Sequence, residues 1–139
     1  MIKHIKRTEI SQNVPEGMPE QGEYEVILYD SPNGTEPVAD FINSLSKKMA
    51  AKVLWTIALL EEDGPTLREP YSQSLGDGIF ELRIKVGSNI TRVLYFFMIG
   101  KKIILTHGFV KKTQKTPLGE INKAKRYRSD YLSRSEYLS

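Results

Sequence analysis

The sequence predicts an α+β domain, with helices packed against a small, mainly antiparallel sheet in the order β-α-α-β-β-β-α. Three observations carry that expectation. Three strand-like runs, 79–86, 90–99 and 101–112, follow one another directly, separated by the hairpin punctuation Val86-Gly87-Ser88-Asn89 and Ile99-Gly100-Lys101-Lys102. Two segments with helical apolar spacing come before them, between residues 37 and 62. A proline at 117 then opens a third such segment, which runs toward the end of the chain.

Taken in order, residues 1–22 hold Pro15, Gly17, Pro19 and Gly22 and show no period, so a loose extension is expected there and a folded domain over 23–139. Tyr24-Glu25-Val26-Ile27-Leu28-Tyr29 reads as a short strand, and Asp30-Ser31-Pro32-Asn33-Gly34 as a turn. Pro37 starts a helix to about residue 45, at a position where its missing N–H costs little. Ser46 is a fair N-cap for a second helix through 62, in which Ala50, Val53, Leu54, Ile57 and Ala58 trace the apolar stripe. Asp63-Gly64-Pro65 stops it, and residues 66–78, with Arg68, read as a loop. Phe80, Leu82, Ile84 and Val86 alternate with Glu81, Arg83 and Lys85, so one face of that strand is buried and the other polar. The next strand is apolar on both faces apart from Arg92, as a central strand would be. In the last, simple alternation puts Ile103, Leu105, His107 and Phe109 on one face and Ile104, Thr106 and Val110 on the other. Leu118, Ile121, Ala124 and Tyr131 are the packing side of the final helix. No internal repeat or low-complexity tract is present.

Composition narrows the function classes. At 139 residues, 40% of them apolar, the chain has material for one real core. It contains no Cys, which excludes disulfides and thiolate metal sites. No apolar run is long enough to span a bilayer, and the opening MIKHIKRTEI lacks the apolar centre of a signal peptide. A cytoplasmic protein with no membrane partner is expected. The net charge of +3 hides a segregation: residues 1–100 hold 10 Lys/Arg against 14 Asp/Glu, and residues 101–139 hold 10 against 3. An anionic partner and a solvated basic helix explain that asymmetry equally well.

Gly78-Ile79-Phe80-Glu81-Leu82-Arg83, Arg92-Val93-Leu94-Tyr95-Phe96 and the block from His107 to Pro117 together resemble the RelE/HigB superfamily of bacterial toxins, in its phage-derived host-inhibition-like branch. The likeness covers about residues 24–131. The last block is the most specific, because strand, basic pair, Thr-Pro and helix follow in fixed order. The resemblance implies a ribosome-dependent mRNA endonuclease, neutralised by a cognate antitoxin that is often a helix-turn-helix protein. It implies no cofactor. Relatives often place a lysine in the loop before the Gly-x-x-Glu-Leu-Arg strand, where this chain has Ser72-Gln73-Ser74.

Metal-free RNA cleavage needs the 2′-hydroxyl deprotonated, the phosphorane's charge neutralised and the leaving oxygen protonated. Arg83 is the strongest candidate for the phosphate, because a guanidinium grips phosphate bidentately and stays charged. Glu81, on the same strand face, orients it or serves as base; a plain surface ion pair is the bland alternative. Arg92, amid apolar residues, needs a partner, either a phosphate or Glu81. Lys111 and His107 complete the catalytic candidates, although His107, flanked by Leu105 and Phe109, reads more simply as a core histidine. Arg68, Lys85, Lys112, Gln114, Lys115, Lys123, Arg126 and Tyr127 are candidates for RNA contact, Tyr127 by stacking on a base. Trp55 reads as core or as an antitoxin contact. No His/Asp/Glu cluster has metal-ligand spacing. A non-catalytic basic module that binds nucleic acid or protein is the alternative function. An unrelated housekeeping α+β protein is a third, and it leaves the Thr-Gln-Lys-Thr-Pro block unexplained.

Overall fold

A computed structural model describes residues 3–4, 23–111 and 115–138. One six-stranded mixed sheet runs through the molecule, with strand order β1-β2-β6-β5-β4-β3. The strands are β1 (Lys3–His4), β2 (Glu25–Leu28), β3 (Ser72–Gly76), β4 (Ile79–Val86), β5 (Asn89–Met98) and β6 (Lys102–Lys111). The helices are α1 (Pro37–Ser44), α2 (Lys47–Asp63) and α3 (Leu118–Leu138), with a short 3-10 turn at Gly64–Thr66. β2 joins β6 in parallel, and every other neighbouring pair is antiparallel. The α+β expectation holds, while the element order differs from it in two places.

The first difference is β3, which lies where a loop was expected. It is an outer strand with polar, mostly exposed residues, Ser72-Gln73-Ser74, and a register irregularity before Gly76. Short polar strands with a bulge are how sheet edges avoid pairing with other chains, and they carry no apolar alternation for a sequence reading to detect. The second is Lys3–His4, which pairs antiparallel with Leu28 and Ile27 inside the expected loose extension. The remainder of residues 1–22 lies outside the described residues.

α1 and α2 cover one face of the sheet. Ser46 caps α2 as its sequence suggests, its hydroxyl accepting from the Met49 N–H at 3.2 Å. Val53, Leu54, Ile57 and Leu60 meet Val26, Leu28, Leu82, Ile84, Val93, Tyr95, Ile103 and Leu105 in the larger core. Trp55 is half-buried and tilts against Tyr71, ring centroids 5.9 Å apart. α3 covers part of the other face, where Ala124 and Tyr131 pack on Ile27, Tyr29, Ile79, Leu94, Phe96 and Ile104. Leu118, expected on the packing side of this helix, is instead 69% exposed, and Tyr127 takes a place in the contact.

One irregularity controls what α3 covers. Tyr95 pairs with Leu105 but Leu94 pairs with His107, so Thr106 is an extra residue in β6. Its hydroxyl, buried in the bulge, donates to the Leu94 carbonyl at 3.2 Å. Such a bulge reverses the alternation beyond it. Ile103 and Leu105 therefore face α1 and α2, whereas His107, Phe109 and Lys111 face the side of α3. The expectation that His107 and Phe109 share a face with Ile103 and Leu105 is wrong for this reason. Gly108 correspondingly turns toward α1, where the Phe41 ring lies so close that a Cβ would overlap it.

Candidate functional site

On the α3 side of the sheet the strand register assembles a row of charge. Arg83 on β4 is directly opposite Arg92 on β5, and Glu81 stands one pleat earlier on β4. Two cations side by side across a ladder repel each other, so a carboxylate between them is required. Glu81 supplies it: its Oε2 lies 3.5 Å from Nε of Arg83 and 3.5 Å from Nε of Arg92. Its other oxygen, Oε1, accepts a short hydrogen bond from the Thr116 hydroxyl. Thr116 Oγ1 accepts in turn from Lys111 Nζ at 3.4 Å. One carboxylate is thus surrounded by three cations and a hydroxyl.

The cluster is deep. The side chains of Glu81 and Arg92 are 2% and 4% exposed, whereas that of Arg83 is 23% exposed. Arg83 is therefore the member of the two arginines that meets solvent. The strand face read as polar is covered in part: Glu81 is buried and Arg83 half-buried, with Thr116 close by, while Lys85 at the strand end is exposed. Burial pushes Lys111 below the usual lysine range; Arg92 pushes it further down, Glu81 opposes, and Arg83 adds a smaller push. Burial likewise lowers Arg92, with Glu81 resisting and Arg83 assisting. Among the described residues the Arg92 Nε has no hydrogen-bond partner, its contact with Glu81 being an ion pair at longer range. Among the described residues three positive groups stand around one carboxylate, an excess that favours further negative charge.

His107 is on the same face but apart from this group. Leu94 lies between it and Glu81 in the register, which sets the two strands' residues about 10 Å apart at the usual strand spacing. Its ring is buried, with Nε2 3.1 Å from Glu120 Oε1 and Nδ1 3.2 Å from the Thr106 hydroxyl. Burial lowers its pKa to about 4, against the opposing pull of Glu120. Phe109 stacks against it and Tyr127 meets it edge-on. These are the surroundings of a satisfied core histidine.

The other predicted residues are scattered. Arg68 lines a separate open groove of about 600 Å³ with Leu67, Ser72, Ser74 and Phe80, beyond the β3 edge. Lys85 is exposed at the far end of β4, and Lys115 and Arg126 are exposed near α3. Lys123 reaches over the Tyr127 ring, 5.9 Å from its centroid. Tyr127 is half-buried and stacks on Tyr29 at 4.5 Å, so one face of its ring is occupied. Lys112 and Gln114 lie outside the described residues.

Several contributors show no role in the sequence. Thr116 is one: it stands in the Thr-Pro step of the block from His107 to Pro117, which does not reveal that it reaches Glu81. The anchors of α3 are others. Lys125 pairs with Asp77 at 2.7 Å, and Arg128 donates to the Asp77 carbonyl. Tyr29 donates to Asp130 at 2.7 Å, and Arg134 pairs with Asp130 at 2.9 Å while covering the Tyr29 ring. Part of the basic tail is therefore spent on holding α3 to the sheet.

Among the described residues no group of three or more His, Asp or Glu is placed to hold a metal ion, and no helix is long and apolar enough to cross a membrane. No curated protein matches the chain. The family described as "Phage derived protein Gp49-like (DUF891)" matches residues 40–129, a span that runs from α1 through the strands carrying Glu81, Arg83, Arg92 and Lys111 to most of α3. The chain belongs to this phage-derived Gp49-like family.

Proposed function

We propose that the protein is the toxin of a toxin–antitoxin pair, a RelE/HigB-type endoribonuclease that cuts translated mRNA at the ribosome without a metal. The observation that carries this reading is the net positive cluster of Arg83, Arg92 and Lys111 around the single carboxylate of Glu81. Family membership supports the phage-derived branch of it. In the proposed reaction the 2′-oxygen attacks the adjacent phosphorus, its proton passing to a base at the ribosomal A site. The P–O5′ bond breaks as the leaving 5′-oxygen takes a proton from water, leaving a 2′,3′-cyclic phosphate and a 5′-hydroxyl. Arg83, the exposed arginine, holds the phosphate and neutralises the phosphorane. Arg92 and Lys111 add positive potential from beneath, and Glu81 keeps both guanidinium groups in place. Such fixed charge in a site shielded from water is worth far more than the same charge in solvent.

The partners of this reading are the ribosome with its mRNA, and a cognate antitoxin, of helix-turn-helix type by resemblance. The site of action is the cytoplasm. Residues 23–139 form the toxin domain. The experiment is expression of the chain alone, with primer extension on a reporter transcript. New 5′ ends are expected only while translation is permitted. The depth of Glu81 and Arg92 favours a second reading, in which the cluster is a buried structural network in a non-catalytic binding module. Growth arrest without any cleavage selects that one.

A further inference from the structure

α2 carries a second apolar strip. Lys48, Ala51, Lys52 and Trp55 stand at helical spacing on the side turned away from Val53, Ile57 and Leu60, and they line an open groove of about 330 Å³. Its walls are the Ala51 methyl, the Trp55 ring and the carbon stems of the two exposed lysines. The Trp55 ring is held in place by Tyr71, with ring centroids 5.9 Å apart. About 150 Å³ is enough to hold a benzene-sized group, so the groove can seat one large apolar side chain and the backbone that carries it. The surroundings are positive. Lys47 and Lys48 occupy the first turn of α2, which holds no acidic residue although the helix dipole favours one there. Among the described residues none of Lys47, Lys48 and Lys52 is paired with a carboxylate; Lys52 Nζ donates to the Lys85 carbonyl at 2.6 Å. These lysines oppose the dipole of their own helix and neutralise no carboxylate of the described fold, so the negative charge that suits them comes from another molecule.

We propose that this groove docks an acidic segment of a partner protein, which inserts one large apolar side chain beside Trp55 and sets carboxylates against Lys48 and Lys52. On the toxin reading above the partner is the antitoxin; the docking site itself does not rest on that reading. α2 covers one face of the sheet and the cluster of Glu81, Arg83 and Arg92 lies on the other, so the two sites can be tested independently. A single-stranded RNA fits the groove less well. It needs a run of cations along its backbone and aromatic faces for its bases. Here two lysines flank a single apolar pocket, and the Trp55 ring is partly engaged by Tyr71. A second copy of the chain would bring its own lysines against these, which disfavours self-pairing through this face.

Trp55 is the chain's one tryptophan, so its emission reports on the groove without a label. The full chain is panned against a random peptide library displayed on phage, and the enriched peptides are synthesised and titrated while Trp55 emission is followed. They are expected to be rich in Asp and Glu around one Leu, Ile or Phe, to move the emission to shorter wavelength, and to bind more weakly as salt is added. Ala51→Gln fills the groove with a residue that a helix accepts, and should weaken binding about tenfold or more. Lys48→Glu should weaken it about tenfold without lowering the melting temperature, since an acid in the first turn suits the dipole. Arg83→Ala, on the other face, should leave it unchanged. No enrichment, enrichment of neutral or basic peptides, an unmoved Trp55 emission, or unchanged affinity in both α2 variants overturns the proposal. Oligouridylate that moves the emission where no enriched peptide does overturns it in favour of RNA. A concentration-dependent dimer that is lost in Ala51→Gln overturns it in favour of a second copy. If the wild type never cleaves RNA but the peptides bind as described, the toxin reading fails and the docking site stands.

Discussion

The two faces of the sheet are built on opposite principles. Under α1 and α2, Leu82, Ile84, Val93, Tyr95, Ile103 and Leu105 form a dry core in which shape and volume decide the energetics. On the α3 side the same strands present Glu81, Arg83, Arg92, His107 and Lys111 beside a smaller apolar cluster, and α3 is docked by ion pairs and a tyrosine stack as well as by Ala124 and Tyr131. The first face supplies stability. The second holds three cations against one carboxylate, an arrangement that an apolar filling of the same volume would match or exceed in stability. A strained electrostatic cluster mounted on a rigid apolar half is what a charge-handling site requires.

Neighbouring residues on β4 then compare the faces directly. Leu82→Ala should cost about 2–5 kcal/mol as a cavity in the larger core. Glu81→Ala should cost about 3–5 kcal/mol, because it leaves buried cations without their carboxylate. The two losses differ in kind: added anions such as phosphate should recover part of the second and none of the first, and equal recovery would contradict the distinction.

Arg83→Ala sharpens the functional half. As the most exposed of the paired groups it should change stability by less than about 1 kcal/mol. Cleavage should nevertheless fall about a hundredfold, equivalent to about 3 kcal/mol of transition-state stabilisation. A variant that melts like the wild type and remains fully toxic makes Arg83 a surface ion-pair residue.

The smallest effect is a pH dependence. His107 has its pKa lowered from 6.5 to about 4 in the fold, chiefly by burial, so the folded state favours the neutral ring. The sign follows: its contribution is complete above pH 6.5 and is lost as the pH falls toward 4. Between pH 7.5 and 4.5 the wild type should lose more stability in urea unfolding than His107→Gln does. Equal losses would assign the pH dependence to other groups.

Much of the second face was visible in the chain itself. The alternation through 79–86 puts Glu81 and Arg83 on one side, and an arginine within the apolar run 90–99 requires a buried partner. Proline at the start of α1 and serine before α2 fix those helices by backbone chemistry that needs no tertiary help. The edge strand β3 escaped because a polar edge has no period to read. The face taken by Lys111, and the part played by Thr116, escaped for a different reason. Residues 103–106 are buried on both faces, so no contrast between apolar and polar positions marks where β6 slips by one residue. Local pattern thus determined the helices, the apolar strands and their order around the hairpins, and it left Glu81 as one of two partners for Arg92. Only the packing of α3 and the bulge at Thr106 decided that Lys111 would join them, because register in a strand buried on both sides is chosen by what lies above and below it.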